Sequence, residues 1–376
     1  MCSMCLYVKR KCLNLEFNMM YAIITFFLLI FQVAEAQIPR DTSYTIYSNH
    51  VKLQKKYPFV TPIAPALPAN VEAEYDVVYK NLAGRSLHLD ISYPKSNNKT
   101  KYPGVLMIHG GGWSSVSKAH QVPMAQHLAA RGYVAVAVEY RLSPEAQYPA
   151  AVYDLKEAIR WMRAHADKYG LDVNKIAALG CSAGAQLASL LGTTNGVSKF
   201  EEKTAYPKHS SDVQAVVNVD GIVSFVHPEA DAEGAAAAKW LGGTRAEAYE
   251  NWREASPLEY VNAQTPPFIF INSSVPRFHA GRDDFIKVLN EYHIYSEVHT
   301  IADSPHSFWL VHPWFEPTLE YTYQFLDKIF TSNQPEFTID TIAERMLAYQ
   351  RACGGWPKSY FTKDRKEIRI DYNKPL

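Results

Sequence analysis

Cysteine is scarce in this chain of 376 residues, and its placement makes it scarcer still. Of the five, Cys2, Cys5 and Cys12 precede or flank the start of a leader-like segment, which leaves Cys181 and Cys353 in the remainder. Two thiols so far apart make no disulfide framework, and Cys2-x-x-Cys5 in a removable leader is neither a zinc nor a redox motif. Net charge is lacking too, since 38 Lys and Arg offset 38 Asp and Glu. A neutral chain exerts no general electrostatic pull on nucleic acid, and no nucleic-acid partner is expected. The sequence holds no H-E-x-x-H and no dinucleotide glycine pattern after its first strand, so neither a metal nor an organic cofactor is expected. Internal repeats and low-complexity tracts are absent. An apolar content of 47% suits a packed globular chain rather than a disordered one.

Long apolar runs are also few. The one that opens the chain, over 19–33, is shorter than the roughly 20 residues a membrane span needs. Ala34-Glu35-Ala36 follows it, an A-x-A cleavage site ahead of Gln37. Residues 1–36 are therefore expected to be a signal peptide cut after Ala36, with the mature chain secreted or periplasmic and away from the membrane. Lys9, Arg10 and Lys11 supply positive charge before the run, and Met19 or Met20 are alternative starts.

What remains is regular. Residues 37–70, rich in Pro and Tyr and without a clean period, read as an irregular arm. Two alternating strands follow over 72–80 and 86–93 around a turn at 81–84. Buried strands are predicted over 102–108, 133–138, 176–179, 213–219, 268–272 and 296–301. Helices are predicted over 119–131, 153–169, 183–191 and 316–329, two of them stopped by Gly132 and Gly170. Strands alternating with helices argue an α/β fold over 71–330, a mostly parallel sheet with helices on both faces. Residues 331–337 read as a linker. Residues 338–376 begin with an amphipathic helix over 338–350 and are too few for a core of their own. The 24 Tyr and 7 Trp fit packing as readily as sugar stacking.

Gly180-Cys181-Ser182-Ala183-Gly184 sits between a buried strand and a helix. This G-x-S-x-G pattern places a serine on a sharp strand-to-helix turn with its hydroxyl exposed. Upstream, His109-Gly110-Gly111-Gly112-Trp113 ends another strand, as an H-G-G-G oxyanion loop would. Ser182 is the candidate nucleophile, and the backbone N–H groups of Gly111, Gly112 and Ala183 are the candidate oxyanion donors. A serine needs a base, and His306 in Asp303-Ser304-Pro305-His306 follows the last strand, where that base belongs. His109 reads as structural. His120, His227, His279, His293, His299 and His312 read as surface or locally satisfied groups.

The acid is less determined. No carboxylate follows the strand over 268–272, where Ser273-Ser274-Val275-Pro276 stands instead. Asp220, which ends the strand over 213–219 at the active edge of the sheet, is the first choice. Asp283 and Asp284, in the next helix, are alternatives, either as acids or as a helix-start pair favoured by the dipole. Asp303 comes last because its loop to His306 is too short.

The motifs 109–113, Tyr140-Arg141-Leu142-Ser143-Pro144-Glu145 and 180–184 together resemble the hormone-sensitive-lipase-like and bacterial feruloyl or acetyl esterase branch of the α/β-hydrolases, over roughly 71–329. The resemblance implies the α/β-hydrolase fold, and a structural role for the Tyr-Arg-Leu element beside the glycine loop. The tail, Glu344 to Arg351 followed by Gly354-Gly355-Trp356-Pro357-Lys358, resembles the opening of a pectic-acid lyase of polysaccharide lyase family ten, without its catalytic part. Together they imply a serine carbohydrate esterase that removes acetyl, methyl or feruloyl groups from a plant polysaccharide, pectin foremost, through an acyl-enzyme. The rivals are a general carboxylesterase, lipase or exported peptidase of the same fold, and a sugar-binding module without turnover. The stretch over 221–267 is Ala- and charge-rich, with Glu229, Asp231, Glu233 and Glu247 among its acids, which argues for a polar substrate.

Overall fold

The structure, a computed structural model, describes residues 43–95, 100–202 and 204–331 together with the short strands Ser359–Phe361 and Glu367–Arg369. The expected signal peptide, nearly all of the linker and the tail helix over 338–350 lie outside the described residues. The chain divides into two compact units. One is Met1–Pro39 with Leu82–Arg85, of which the described part is a turn holding Gly84 at φ +95°. The other is Arg40–Asn81 with Ser86–Leu376, and it carries the site.

The strands run β1 (Thr61–Pro62), β2 (Val71–Leu82), β3 (Arg85–Pro94), β4 (Tyr102–Ile108), β5 (Val134–Val138), β6 (Leu171–Cys181), β7 (Ala215–Val219), β8 (Phe268–Asn272), β9 (Ser296–Thr300) and β10 (Val311–His312). The helices are α1 (Ile46–Gln54), α2 (Val122–Ala130), α3 (Ala150–Ala164), α4 (Ala166–Tyr169), α5 (Ala183–Thr193), α6 (Gly234–Leu241), α7 (Tyr249–Glu254), α8 (Arg282–Glu291) and α9 (Phe315–Thr331). Eight strands form one sheet in the order β2-β3-β5-β4-β6-β7-β8-β9. The pairs from β5 through β9 are parallel, while β3 meets β5 antiparallel. This is the α/β-hydrolase fold.

Strands β5, β7 and β8 are buried at every position, as strands covered on both faces must be. Alternation divides their side chains between two cores. Val105, Met107, Leu179, Val217 and Ile269 face Met124 and Leu128 of α2 and Phe315, Leu319 and Phe325 of α9. On the other side, Phe268 and Phe270 pack on Phe285 of α8 at 4.8 and 5.7 Å between ring centres.

The boundaries depart from expectation in places. The helix expected over 153–169 starts earlier, at Ala150 after Pro149, and breaks at His165 into α3 and α4, with Gly170 in the left-handed region at its end. The helix expected over 119–131 is a short turn Lys118–His120 and then α2, which takes Pro123 into its first turn. The arm over 37–70 is not wholly irregular. Thr45 and Ser48 form a reciprocal capping box that starts α1. The helix is short and weakly amphipathic, so periodicity does not reveal it. The strand over 176–179 is longer, Leu171–Cys181, and the one over 213–219 begins only at Ala215.

Candidate active site

The site lies at the carboxyl ends of β4, β6, β7 and β8, the edge where such sheets bind ligands. Strand β6 passes directly into α5 with Ser182 alone between them, at φ 56°, ψ −123°. A side chain in that conformation is strained and persists only where its surroundings hold it. Two glycines make the turn possible. A Cβ at Gly180 would lie 1.9 Å from the Gly184 carbonyl oxygen, and one at Gly184 would lie 2.2 Å from that of Ile108. The Ser182 N–H donates to the Val219 carbonyl at 2.9 Å and ties the elbow to β7.

The glycine loop is braced from behind. The His109 ring stacks on Tyr140 at 4.5 Å, and its Nδ1 lies 2.9 Å from the Gly110 carbonyl oxygen. Tyr140 donates its hydroxyl to the His109 carbonyl at 2.9 Å. Arg141 grips Asp154 with two hydrogen bonds of 2.8 Å. The Tyr-Arg-Leu element thus supports the loop. Trp113 donates its indole N–H to Gln186 of α5 at 2.9 Å and stacks on Trp240. Gly112 and Ala183 line the pocket beside Ser182. Gly111 stands one residue back at φ +100°, with its carbonyl accepting from the Ser114 and Ser115 N–H groups at 3.1 Å.

His306 joins the other two candidates. Its Nε2 lies 2.9 Å from Ser182 Oγ, and its Nδ1 lies 2.6 Å from Asp220 Oδ2. With the Nδ1 proton on the carboxylate side, Nε2 is left as the acceptor for the serine proton. Asp220 is fully buried just past β7, at φ 56°. Its Oδ1 accepts the Ser273 N–H at 2.8 Å and lies 3.2 Å from His279 Nε2. Burial alone would raise the pKa of Asp220. Hydrogen bonds from His279, His306 and the Ser273 N–H, with the charge of His306, outweigh it and hold the value down at about 2.

The other carboxylates are engaged elsewhere. Asp283 and Asp284 occupy the first turn of α8, where Asp283 pairs with Arg282 and Asp284 lies 3.4 Å from His227. Asp303 turns the loop before His306 at φ 55°. Buried Cys181 has its thiol pushed up to about 12 by desolvation, which leaves it inert.

Three residues of the site are not among the functional candidates the sequence offers. His279, expected as a surface or locally satisfied group, is instead the second imidazole on Asp220, with a side chain only 14% exposed. Phe278 lies flat on His306, with ring centres 3.5 Å apart. Both belong to the turn Pro276–His279, in the loop after β8 that lacks a carboxylate. The third is Tyr44 of the arm. Its hydroxyl hydrogen-bonds Asn49 at 2.7 Å and the Ser307 hydroxyl at 2.8 Å, one residue from His306. The only signal for the first two was a missing acid; for Tyr44 there was none.

The BD-FAE family model matches residues 89–278, which takes in the glycine loop, the elbow and Asp220. The chain belongs to the BD-FAE family. This is a family of carboxylic ester hydrolases, and its relatives agree. Esterase LipC of Mycobacterium tuberculosis is 32% identical over 50% of this chain and 47% of its own. The chain spans about half the length of the curated relatives it matches. Among solved structures, Thermogutta terrifontis esterase 2 is 26% identical, with a TM-score of 0.58 over 72% of this chain and 98% of its own. A bifunctional GH43-CE of Bacteroides eggerthii is 28% identical, with a TM-score of 0.59 over 68% of this BD-FAE chain and 37% of its own.

Proposed function

We propose that this BD-FAE chain is an exported serine esterase that removes acyl groups, acetyl foremost, from a plant polysaccharide, with pectin as the leading substrate. The observation that carries the reading is the position of His306, which bridges Ser182 and Asp220 through its two nitrogens. Ser182 Oγ attacks the ester carbonyl while its proton passes to His306 Nε2. The tetrahedral oxyanion is met by backbone N–H groups of Ala183 and of Gly112 or Gly111. Each such donor is worth about 3 kcal/mol in the transition state. His306 then gives the proton to the departing alcohol oxygen, and the carbonyl carbon stays on Ser182 as an ester. Water repeats the sequence and releases the acid.

Support for a carbohydrate comes from the likeness to the bifunctional GH43-CE of Bacteroides eggerthii. Support for pectin comes from the lyase-like tail, since deacylation exposes galacturonan to a lyase. The pocket beside Ser182 is walled by Trp113, Ile222 and Phe278. Export rests on the leader over 1–36. The likeness to LipC favours a second reading, a carboxylesterase of broad substrate range.

Hydrolysis of p-nitrophenyl acetate by the wild type and by Ser182→Ala tests the mechanism, and equal rates would overturn it. Incubation with acetylated, methylated and feruloylated pectin, with acetate, methanol and ferulate assayed separately, identifies the group removed. Release of all three at similar rates, or of none, favours the broad carboxylesterase.

A further inference from the structure

Of the two acidic residues that line the pocket, Asp220 and Glu233, only the second takes no part in acyl transfer. Glu233 ends the turn Pro228–Glu233, in the charge-rich stretch after Asp220, and stands in the wall with Ser182, Gly112 and Phe278. Its side chain is 14% exposed. Oε1 is covered, and among the described residues no donor lies within hydrogen-bond distance of it. The Arg277 guanidinium stops at 3.6 Å. Burial raises the pKa of Glu233 against the pull of Arg277 and His306.

Oε1 is shut off by the wall itself, so the exposed remainder of the Glu233 side chain is the part that faces the pocket, and a carboxylate held there at ion-pair distance alone calls for an explanation. Folding does not supply one, because Arg277 is half exposed and holds Glu233 only at ion-pair distance. The reaction does not supply one either, because His306 alone carries the proton. The place of Glu233 indicates its partner. Arg277 lies over the Phe278 ring at 4.2 Å, and Phe278 lies on His306. Glu233 therefore sits on the His306 side of the pocket, where the departing alcohol must receive its proton.

We propose that Glu233 accepts a hydrogen bond from a free hydroxyl on the alcohol part of the substrate, beside the ester that is cleaved. It thereby selects sugar esters over alkyl esters. The proposal rests on the esterase reading and deepens it, since an ester of a simple alcohol has no such hydroxyl to offer.

The test compares kcat/KM for a monoacetylated methyl glycoside with a free neighbouring hydroxyl and for cyclohexyl acetate. The ratio of the two, sugar over cyclohexyl, is measured in the wild type, Glu233→Leu and Glu233→Gln, each checked for folding by circular dichroism. The wild-type ratio is expected to favour the sugar. Glu233→Leu should lower the ratio by about ten- to a hundredfold, the worth of one hydrogen bond to a charged group. Glu233→Gln keeps an acceptor oxygen and should lower it by less. If Glu233→Leu does not fold, a drop of about threefold or more in Glu233→Gln carries the proposal. A ratio unchanged in the folded variants overturns it, as does an equal loss on both substrates. Failure of the esterase reading would show separately, as hydrolysis of both esters at wild-type rates by Ser182→Ala.

Discussion

His279 Nε2 stands 3.2 Å from Asp220 Oδ1, on the opposite oxygen from the one His306 engages at 2.6 Å. The carboxylate is thus held from both sides and cannot rotate away from His306 without breaking a bond. His279 meets Asp220 from outside the residues that line the pocket, so its role is to position. In His279→Ala, kcat should fall about tenfold with KM little changed, as loss of one hydrogen bond to a charge implies. Loss of a donor on Oδ1 also leaves Asp220 more basic. His279→Gln, which can still donate an N–H, should recover much of the rate. A His279→Gln enzyme as slow as His279→Ala would assign His279 to packing alone.

Replacing the acid itself should cost far more. Asp220→Asn is expected to lower kcat by about 10³- to 10⁴-fold, because an amide at that place disfavours the productive tautomer. Asp283→Asn and Asp284→Asn should stay within about twofold of wild type, as surface changes at a helix start do. Steady-state rates on p-nitrophenyl acetate decide between them.

Asp220 also links pH to stability. Its folded pKa of about 2 lies below the ordinary value of 3.8. A depressed carboxylate pKa contributes stability that is fully present above the ordinary value and is lost as pH falls through the folded one. The window is therefore about pH 4 down to pH 2, and the contribution is about 2 kcal/mol. Urea unfolding across that window should show a shallower loss in Asp220→Asn than in the wild type.

The elbow should tolerate no added carbon. Gly184→Ala drives a methyl group against the Ile108 carbonyl, backbone against which nothing can yield. A loss of about 3 kcal/mol or more, or no soluble protein, is expected. Gly234→Ala is the control. Among the described residues nothing lies within 4 Å of a Cβ at that position, and alanine there should be neutral or slightly stabilising. Thermal melts of the two variants check the contrast.

Tyr44→Phe removes the hydroxyl that joins the arm to Ser307. Stability should fall by about 1 kcal/mol. Because Ser307 adjoins His306, kcat should fall as well, and more than KM rises. Unfolding midpoints and steady-state kinetics on the same protein test both halves.

The parts of the site that sequence made legible are those whose requirements are local. A serine on a tight turn needs glycine at Gly180 and Gly184, and those glycines can be read without a fold. The position of His306 follows from chain order alone. The acid was legible only as a first choice, Asp220 ahead of Asp283 and Asp284, because the loops after β7 and β8 open onto the same edge and only their three-dimensional reach separates Asp220 from Asp283. Phe278 and His279 were hidden for a related reason. They occupy the loop after β8, where a carboxylate was sought, and reach the site by aromatic packing and a hydrogen bond to a distant aspartate. Tyr44 was hidden because α1 is too short and too weakly patterned to show that the arm folds back. Most strands were legible because burial on both faces leaves a run of apolar residues. Strand ends and the break at His165 were not, because they depend on neighbours rather than on period.

Ser182 and Asp220 share one backbone trait: each stands at a kink with positive φ, immediately after a strand that is locked into the sheet. Their backbone placement is thus set by main chain that the sheet holds rigid, while Ser273 and His279 fix the Asp220 carboxylate itself. If Glu233 selects the alcohol as proposed, a change of that one side chain would alter which alcohols are admitted while the strand ends that carry Ser182 and Asp220 stay in place.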